Sequence, residues 1–123
     1  MRVRTALVAL GLCLFSSAGH AETSRWMTGG EFETYINSAM RKGLIPTKIS
    51  CAKGADHNVK GAAIRVRVNT EPNTKRIQWG IAWGDLSYYN KQKAKYEGAG
   101  FKRVSHSSFS YGLTYQCTLW HKS

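Results

Sequence analysis

Three cysteines, four histidines and seven acidic residues are what this chain of 123 residues offers for chemistry. Metal binding needs such groups clustered at ligand spacing. His57, His106 and His121 are separated by 49 and 15 residues, and the adjacent pair Asp56-His57 points its side chains different ways. No metal or cofactor site is expected. The chain has no glycine-rich phosphate loop, no H-E-x-x-H and no G-x-S-x-G. Paired carboxylates for glycoside hydrolysis would have to be drawn from seven acids, several of which are committed to helix starts, Glu31, Glu33 and Asp85 among them. Two histidines and a cation can cleave RNA by general acid–base catalysis, and His106, His121 and a nearby lysine or arginine would supply them if the last hairpin brought them together. Apart from that alternative, no catalytic residue is assigned.

The cysteines are read through the N-terminus. Arg2 and Arg4, the apolar run Ala6 to Phe15 and the small-residue exit Ala18-Gly19-His20-Ala21 are the three regions of an export signal, expected to span residues 1–21. The run is ten residues long, whereas a bilayer span takes about 20. No other apolar segment follows, so the mature chain should have no membrane span and should be periplasmic or secreted. Cleavage would discard Cys13 and leave Cys51 and Cys117, an even pair in an oxidising compartment and hence a disulfide. Closing so long a loop contributes roughly 4 kcal/mol in the chain-entropy model. Cleavage also removes two of the 18 Lys and Arg and none of the 7 Asp and Glu, so the formal charge falls from +11 to +9.

The elements that must position these groups follow from periodicity. Thr28-Gly29-Gly30-Glu31 is a capping-box pattern, and Met27 and Phe32 are spaced to form the hydrophobic staple. Phe32, Tyr35, Ile36, Ala39 and Met40 make a core-facing stripe, and Gly43 stops the helix. A second helix, capped by Asp85 or Ser87 and stopped by Gly98 or Gly100, has only Tyr89, Tyr96 and Ala99 as its apolar stripe. Alternation marks strands over 62–69, 77–83 and 113–120, with turn formers at Asn69 to Asn73 and a hairpin turn at Ser110-Tyr111-Gly112. The alternating serines around His106 read as a solvent face. The expectation is a single α+β domain over residues 22–123, ordered α-β-β-β-α-β-β, with one antiparallel sheet of about five strands and both helices on one face.

A shift of 57 residues brings Trp26 onto Trp83, Phe32 onto Tyr89, Gly43 onto Gly100 and Leu44 onto Phe101, so residues 26–68 and 83–122 are candidate divergent repeats. The frame, a tryptophan, a helix, Gly43-Leu44-Ile45-Pro46 and a strand, then Gly100 to Ser105, resembles the short αββ units of bacterial secreted tandem-repeat domains. That resemblance implies a binding or accessory module and assigns no residue a role.

Positive charge draws polyanions. The anion-binding candidates are Arg65 and Arg67, Lys75 and Arg76, Lys91 and Lys95, and Lys102 and Arg103. Partners outside the cytoplasm would be acidic polysaccharide, lipid head groups or an acidic protein, with nucleic acid the partner only of the ribonuclease alternative. Tyr88, Tyr111, Trp120 and the Trp79–Trp83 region are candidates for stacking on sugar rings. The expected function is an exported, non-enzymatic binding or accessory module with a basic face. The alternatives are a small secreted ribonuclease and a periplasmic inhibitor or accessory of another exported protein.

Overall fold

The structure is a computed structural model that describes residues 21–54 and 64–123. The expected export signal, apart from Ala21, lies outside the described residues, as do Asp56 and His57. The described elements run β1 (Glu22–Thr23), α1 (Gly29–Arg41), β2 (Leu44–Lys53), β3 (Ile64–Pro72), β4 (Gln78–Asp85), α2 (Leu86–Gly98), β5 (Lys102–Tyr111) and β6 (Leu113–Lys122). The fold is α+β with two helices, and its order opens on a short strand rather than on the first helix.

The strands do not form one five-stranded sheet. They form two antiparallel sheets of three, ordered β1-β3-β2 and β4-β6-β5. The break falls between β2 and β5, and side chains bridge it. The Ser105 hydroxyl accepts from the Ile49 N–H at 3.0 Å and donates to the Ile49 carbonyl at 3.4 Å. Two residues on, the Ser107 hydroxyl accepts from the Cys51 N–H at 3.2 Å and donates to the Cys51 carbonyl at 3.4 Å. Each hydroxyl therefore satisfies the donor and acceptor that a neighbouring strand would have satisfied. The serines expected on a solvent face are split by the pleat: Ser105 and Ser107 turn inward, half-buried, while Ser108 and Ser110 are exposed.

The disulfide crosses at the same place. Cys51 on β2 is bonded to Cys117 on β6, with Cα atoms 6.2 Å apart and a sequence separation of 66, and Ser107 is the β5 partner of Cys117. Around this joint lies the main core, built from Met27, Phe32, Ile49, Ile64, Val66, Val68 and Leu119. Cys51 and Cys117 are part of it.

The second sheet is covered on both faces along β4 and β6, which places the helices on opposite faces rather than one. Cross-strand partners share a face. Ile81 pairs with Leu119 and Trp83 with Cys117, facing the main core and α1, whose Gly29 lies directly under the Trp83 ring. Gly80 pairs with Trp120 and Ala82 with Thr118, facing α2. Trp120, a candidate for stacking on sugars, is fully buried, as is Thr118. The α2 helix has one buried residue, Tyr89, and it docks through rings: Tyr96 stacks on Trp120 at 4.8 Å, Tyr89 at 6.1 Å, and Phe101 closes on Tyr96 edge-on at 5.4 Å. The Trp120 indole N–H donates to Glu97 at 3.2 Å.

Both helices start on a side-chain cap and stop at a left-handed glycine. Thr28 accepts from the Glu31 N–H while Glu31 accepts from the Thr28 N–H, the expected capping box. Asp85 accepts from the Tyr88 N–H. Gly43 and Gly100 follow at φ +71° and +92°, where a side chain would be strained. The offset of 57 relates the two caps, Gly29–Arg41 to Leu86–Gly98, the two stop glycines, and the strand irregularities at Pro46/Lys48 and Arg103/Ser105. The turn before β4 comes later than its composition predicts: β3 runs on to Pro72, and the Asn73 side chain then brackets the loop by bonding both the N–H and the carbonyl of Ile77 at 2.9 Å.

Two measurements check this account. Ser107→Ala leaves the Cys51 backbone groups without partners and should lower the unfolding free energy by about 1–3 kcal/mol in urea titration, while the exposed Ser108→Ala should stay within about 0.5 kcal/mol. The Arg25 guanidinium, 3.0 Å away, and the Thr28 N–H hold the Glu31 carboxyl down at about 2 against an ordinary 4.5. A lowered carboxylate pKa contributes stability that is present above its unfolded value and lost as pH falls through the folded one. Thermal melts should therefore weaken between about pH 4.5 and 2, and Glu31→Gln should flatten that window.

Candidate functional site

A concavity of about 640 Å³ lies along the outer edge of β4 between the two helices. Three elements build it. The α1 helix contributes Phe32, Glu33, Ile36, Asn37 and Met40, β4 contributes every residue from Trp79 to Asp85, and α2 contributes Tyr88 and Tyr96. Met40, expected in the core stripe, is 57 % exposed. The last turn of α1 overhangs the cleft rather than the core.

The sequence of β4 shapes this cleft by alternating large and small residues. Trp79, Ile81 and Trp83 are half-buried against the α1 side. On the other face a Cβ at Gly80 would fall inside the Tyr96 ring, and one at Gly84 would approach Tyr88 to 3.1 Å. The glycines let α2 lie close, so aromatic rings wall both sides of the strand. Polar side chains line it as well. Glu33 and Asn37 are exposed on α1, and Asp85 spends one oxygen on its cap.

The eight anion-binding candidates are distributed over three places. The β2–β3 register puts Arg67 opposite Ser50, Arg65 opposite Ala52 and Asn69 opposite Lys48, all on the face of the first sheet that turns away from the core. The Arg67 guanidinium lies over the Trp26 ring, 4.4 Å from its centroid, and Trp26 is 39 % exposed. Lys75 and Arg76 sit in the turn between β3 and β4, with Arg76 at φ +54°. Lys91 and Lys95 are exposed on α2, and Lys102 and Arg103 open β5. Arg103 pairs with Trp120 and so shares the α2 face.

The two histidines of the last hairpin do not meet. His106 is opposite Thr118, and its Nδ1 lies 2.6 Å from the Thr118 hydroxyl, on the α2 face. His121 is three residues along β6 from Thr118, so the pleat turns it to the other face. There its Nε2 contacts the Pro46 carbonyl at 2.8 Å. A carbonyl can only accept, so Nε2 carries the proton. Among the described residues no three of His, Cys, Asp and Glu converge, and no helix is long and apolar enough to cross a membrane. Of the sugar-stacking candidates, Tyr88 is 49 % exposed at the cleft and Trp120 is buried; the Tyr111 side chain lies outside the described ones.

Comparison with protein-family models, with curated proteins and with solved structures found no match to this chain. The site has to be read from its own chemistry.

Burial, and secondarily the charge of Arg103, lower the His106 pKa below its ordinary value. An NMR titration should show its midpoint below 6.5, the ordinary value, and Arg103→Gln should move it upward.

Proposed function

We propose that this protein is an exported binding module that holds an acidic envelope polysaccharide on the outward face of its first sheet. The observation that carries this reading is the Arg67 guanidinium laid 4.4 Å over the exposed Trp26 ring, with Arg65 and Lys48 presented on the same sheet face by register. An acidic sugar offers two things at once, an apolar ring face and a carboxylate. Trp26 answers the first by stacking, and the guanidinium answers the second in a charge-assisted, bidentate manner. The stacked guanidinium is also held in place before the ligand arrives, which lowers the ordering cost of binding.

The Cys51–Cys117 bond supports a working place outside the cytoplasm, because such bonds persist in oxidising compartments. The reading of residues 1–21 as an export signal agrees with it. The basic residues on α2 and β5 serve here as a second contact for a long polymer, which raises retention by multivalency without demanding a second specific site. The ribonuclease alternative gains no support from the hairpin, since His106 and His121 face opposite ways.

Binding to polygalacturonate, followed by calorimetry, should weaken steeply from 50 to 500 mM salt, because the contacts are charge-mediated. Arg67→Ala and Trp26→Ala should each reduce affinity about tenfold, a loss of about 1.4 kcal/mol. Salt-independent binding, or binding by both variants as tight as that of the unaltered protein, would sink the proposal. Preferential binding to phosphatidylglycerol vesicles over the polysaccharide would instead assign the face to lipid head groups.

A further inference from the structure

The cleft beside β4 has the position of a missing strand. Its walls are helices lying on opposite faces of one sheet, and its lining includes consecutive residues of β4 from both faces. A pocket on a sheet face would gather alternate residues only. An edge strand leaves half its N–H and C=O groups without ladder partners, and among the described residues no backbone bond reaches β4 from its outer side.

The edges of β3 and β2 are taken up. Residues 22–27 run along β3, where Ser24 bonds Val68 and Met27 bonds Val66 through the backbone. The β2 edge is taken by Ser105 and Ser107. By contrast β4 is eight residues long, its register with β6 is unbroken, and it holds no proline or lysine. Those are the devices that usually blunt an edge against further pairing.

The slot is also polarised. Glu33 and Asp85 line it, and Asp85 marks the end where β4 passes into α2. Arg76 lines a second concavity of about 520 Å³ at the start of β4, which shares Met40 and Trp79 with the first and so continues it. Carboxylates at the Asp85 end and a guanidinium at the other match an extended chain whose N-terminal end lies by Asp85. Such a chain runs antiparallel to β4.

We propose that this slot is a strand-addition site, in which an extended, aliphatic peptide segment of a partner protein, basic at its N-terminal end, pairs antiparallel with β4 between α1 and α2. Main-chain bonds to the edge supply affinity, and the aromatic walls select alternate side chains. The site is separate from the Trp26–Arg67 face and stands whether or not that face binds polysaccharide.

The test uses the peptide amide Lys-Val-Thr-Val-Thr-Val, titrated into the disulfide-bonded protein. Tryptophan emission and the backbone NMR signals of residues 79–83 report on the slot. Saturable shifts in both are expected. The peptide of reversed sequence, and one with Glu in place of Lys, should bind at least tenfold more weakly to the unaltered protein, and Glu33→Lys, an exposed substitution, should weaken the first peptide similarly. Analogues N-methylated on alternate amides, made in both registers, separate backbone pairing from side-chain docking: at least one register must lose binding. The proposal is overturned if the peptide leaves residues 79–83 unchanged, or if both methylated analogues bind as well as the parent. It is equally overturned if cellohexaose shifts those residues where the peptide does not, which would make the slot a sugar cleft. Concentration-dependent dimerisation that buries Trp79 and Trp83 in the absence of peptide would give the slot to a second copy of the chain.

Discussion

The edge of β2 must be satisfied somewhere, and the rest of the molecule is arranged around how that is done. A backbone edge enclosed against another sheet costs free energy unless each N–H and carbonyl finds a partner. Two serine hydroxyls on β5 supply the partners for Ile49 and Cys51. Only a side chain as short as serine lets β2 approach β5 closely enough for one oxygen to serve both the donor and the acceptor of a residue. The same closeness brings Cys51 within disulfide reach of Cys117. In magnitude the covalent bond dominates the joint, since loop closure contributes roughly 4 kcal/mol in the entropic model and each hydroxyl about 1. The hydroxyls contribute what the disulfide cannot, a fixed register between the sheets.

From that joint the two sheets lead to different surroundings. The first buries one face and presents Lys48, Arg65 and Arg67 on the other. The second buries both faces at β6, where Cys117 and Leu119 enter the main core while Thr118 and Trp120 meet α2. Helices on both faces of a sheet whose last strand is β4 necessarily leave a slot beyond that strand. The cleft is thus a consequence of layer architecture, and its aromatic lining follows from the residues that hold the layers together.

Local features were legible in the sequence wherever one element decided them. The capping box at Thr28, the stop at Gly43 and the strand periodicity of Ile64 to Val68 all follow from neighbours in the chain, while the pairing of Cys51 with Cys117 follows from the even count left when Cys13 is assigned to the expected export signal. What escaped was decided between elements. Alternating serines on β5 have the pattern of a solvated face, and nothing near them in sequence announces a strand edge 56 residues away that needs their hydroxyls. Continuous burial at Cys117 to Trp120 was hidden because Thr118 is polar and Trp120 looked like a surface aromatic. The candidate cleft did carry a signal: Gly80 and Gly84 alternating with Trp79, Ile81 and Trp83 mark a strand whose one face is kept clear for a ring-bearing helix. The stacking of Arg67 on Trp26 had none, since their closeness depends on how the segment after β1 lies along β3.

The central place of β6 in its sheet bears on the order in which the chain can fold. β4 and β5 have no backbone ladder with each other, and both pair with β6, which follows them in the chain. Trp120, the ring on which α2 rests, and Cys117, one end of the covalent tie, are also on that strand. During synthesis, β4 and β5 therefore emerge before the strand that joins them into one sheet. Contacts between distant parts of a chain can form only once both parts exist. Once β6 is available the chain completes a sheet, the docking of α2 on Trp120 and the cross-link together.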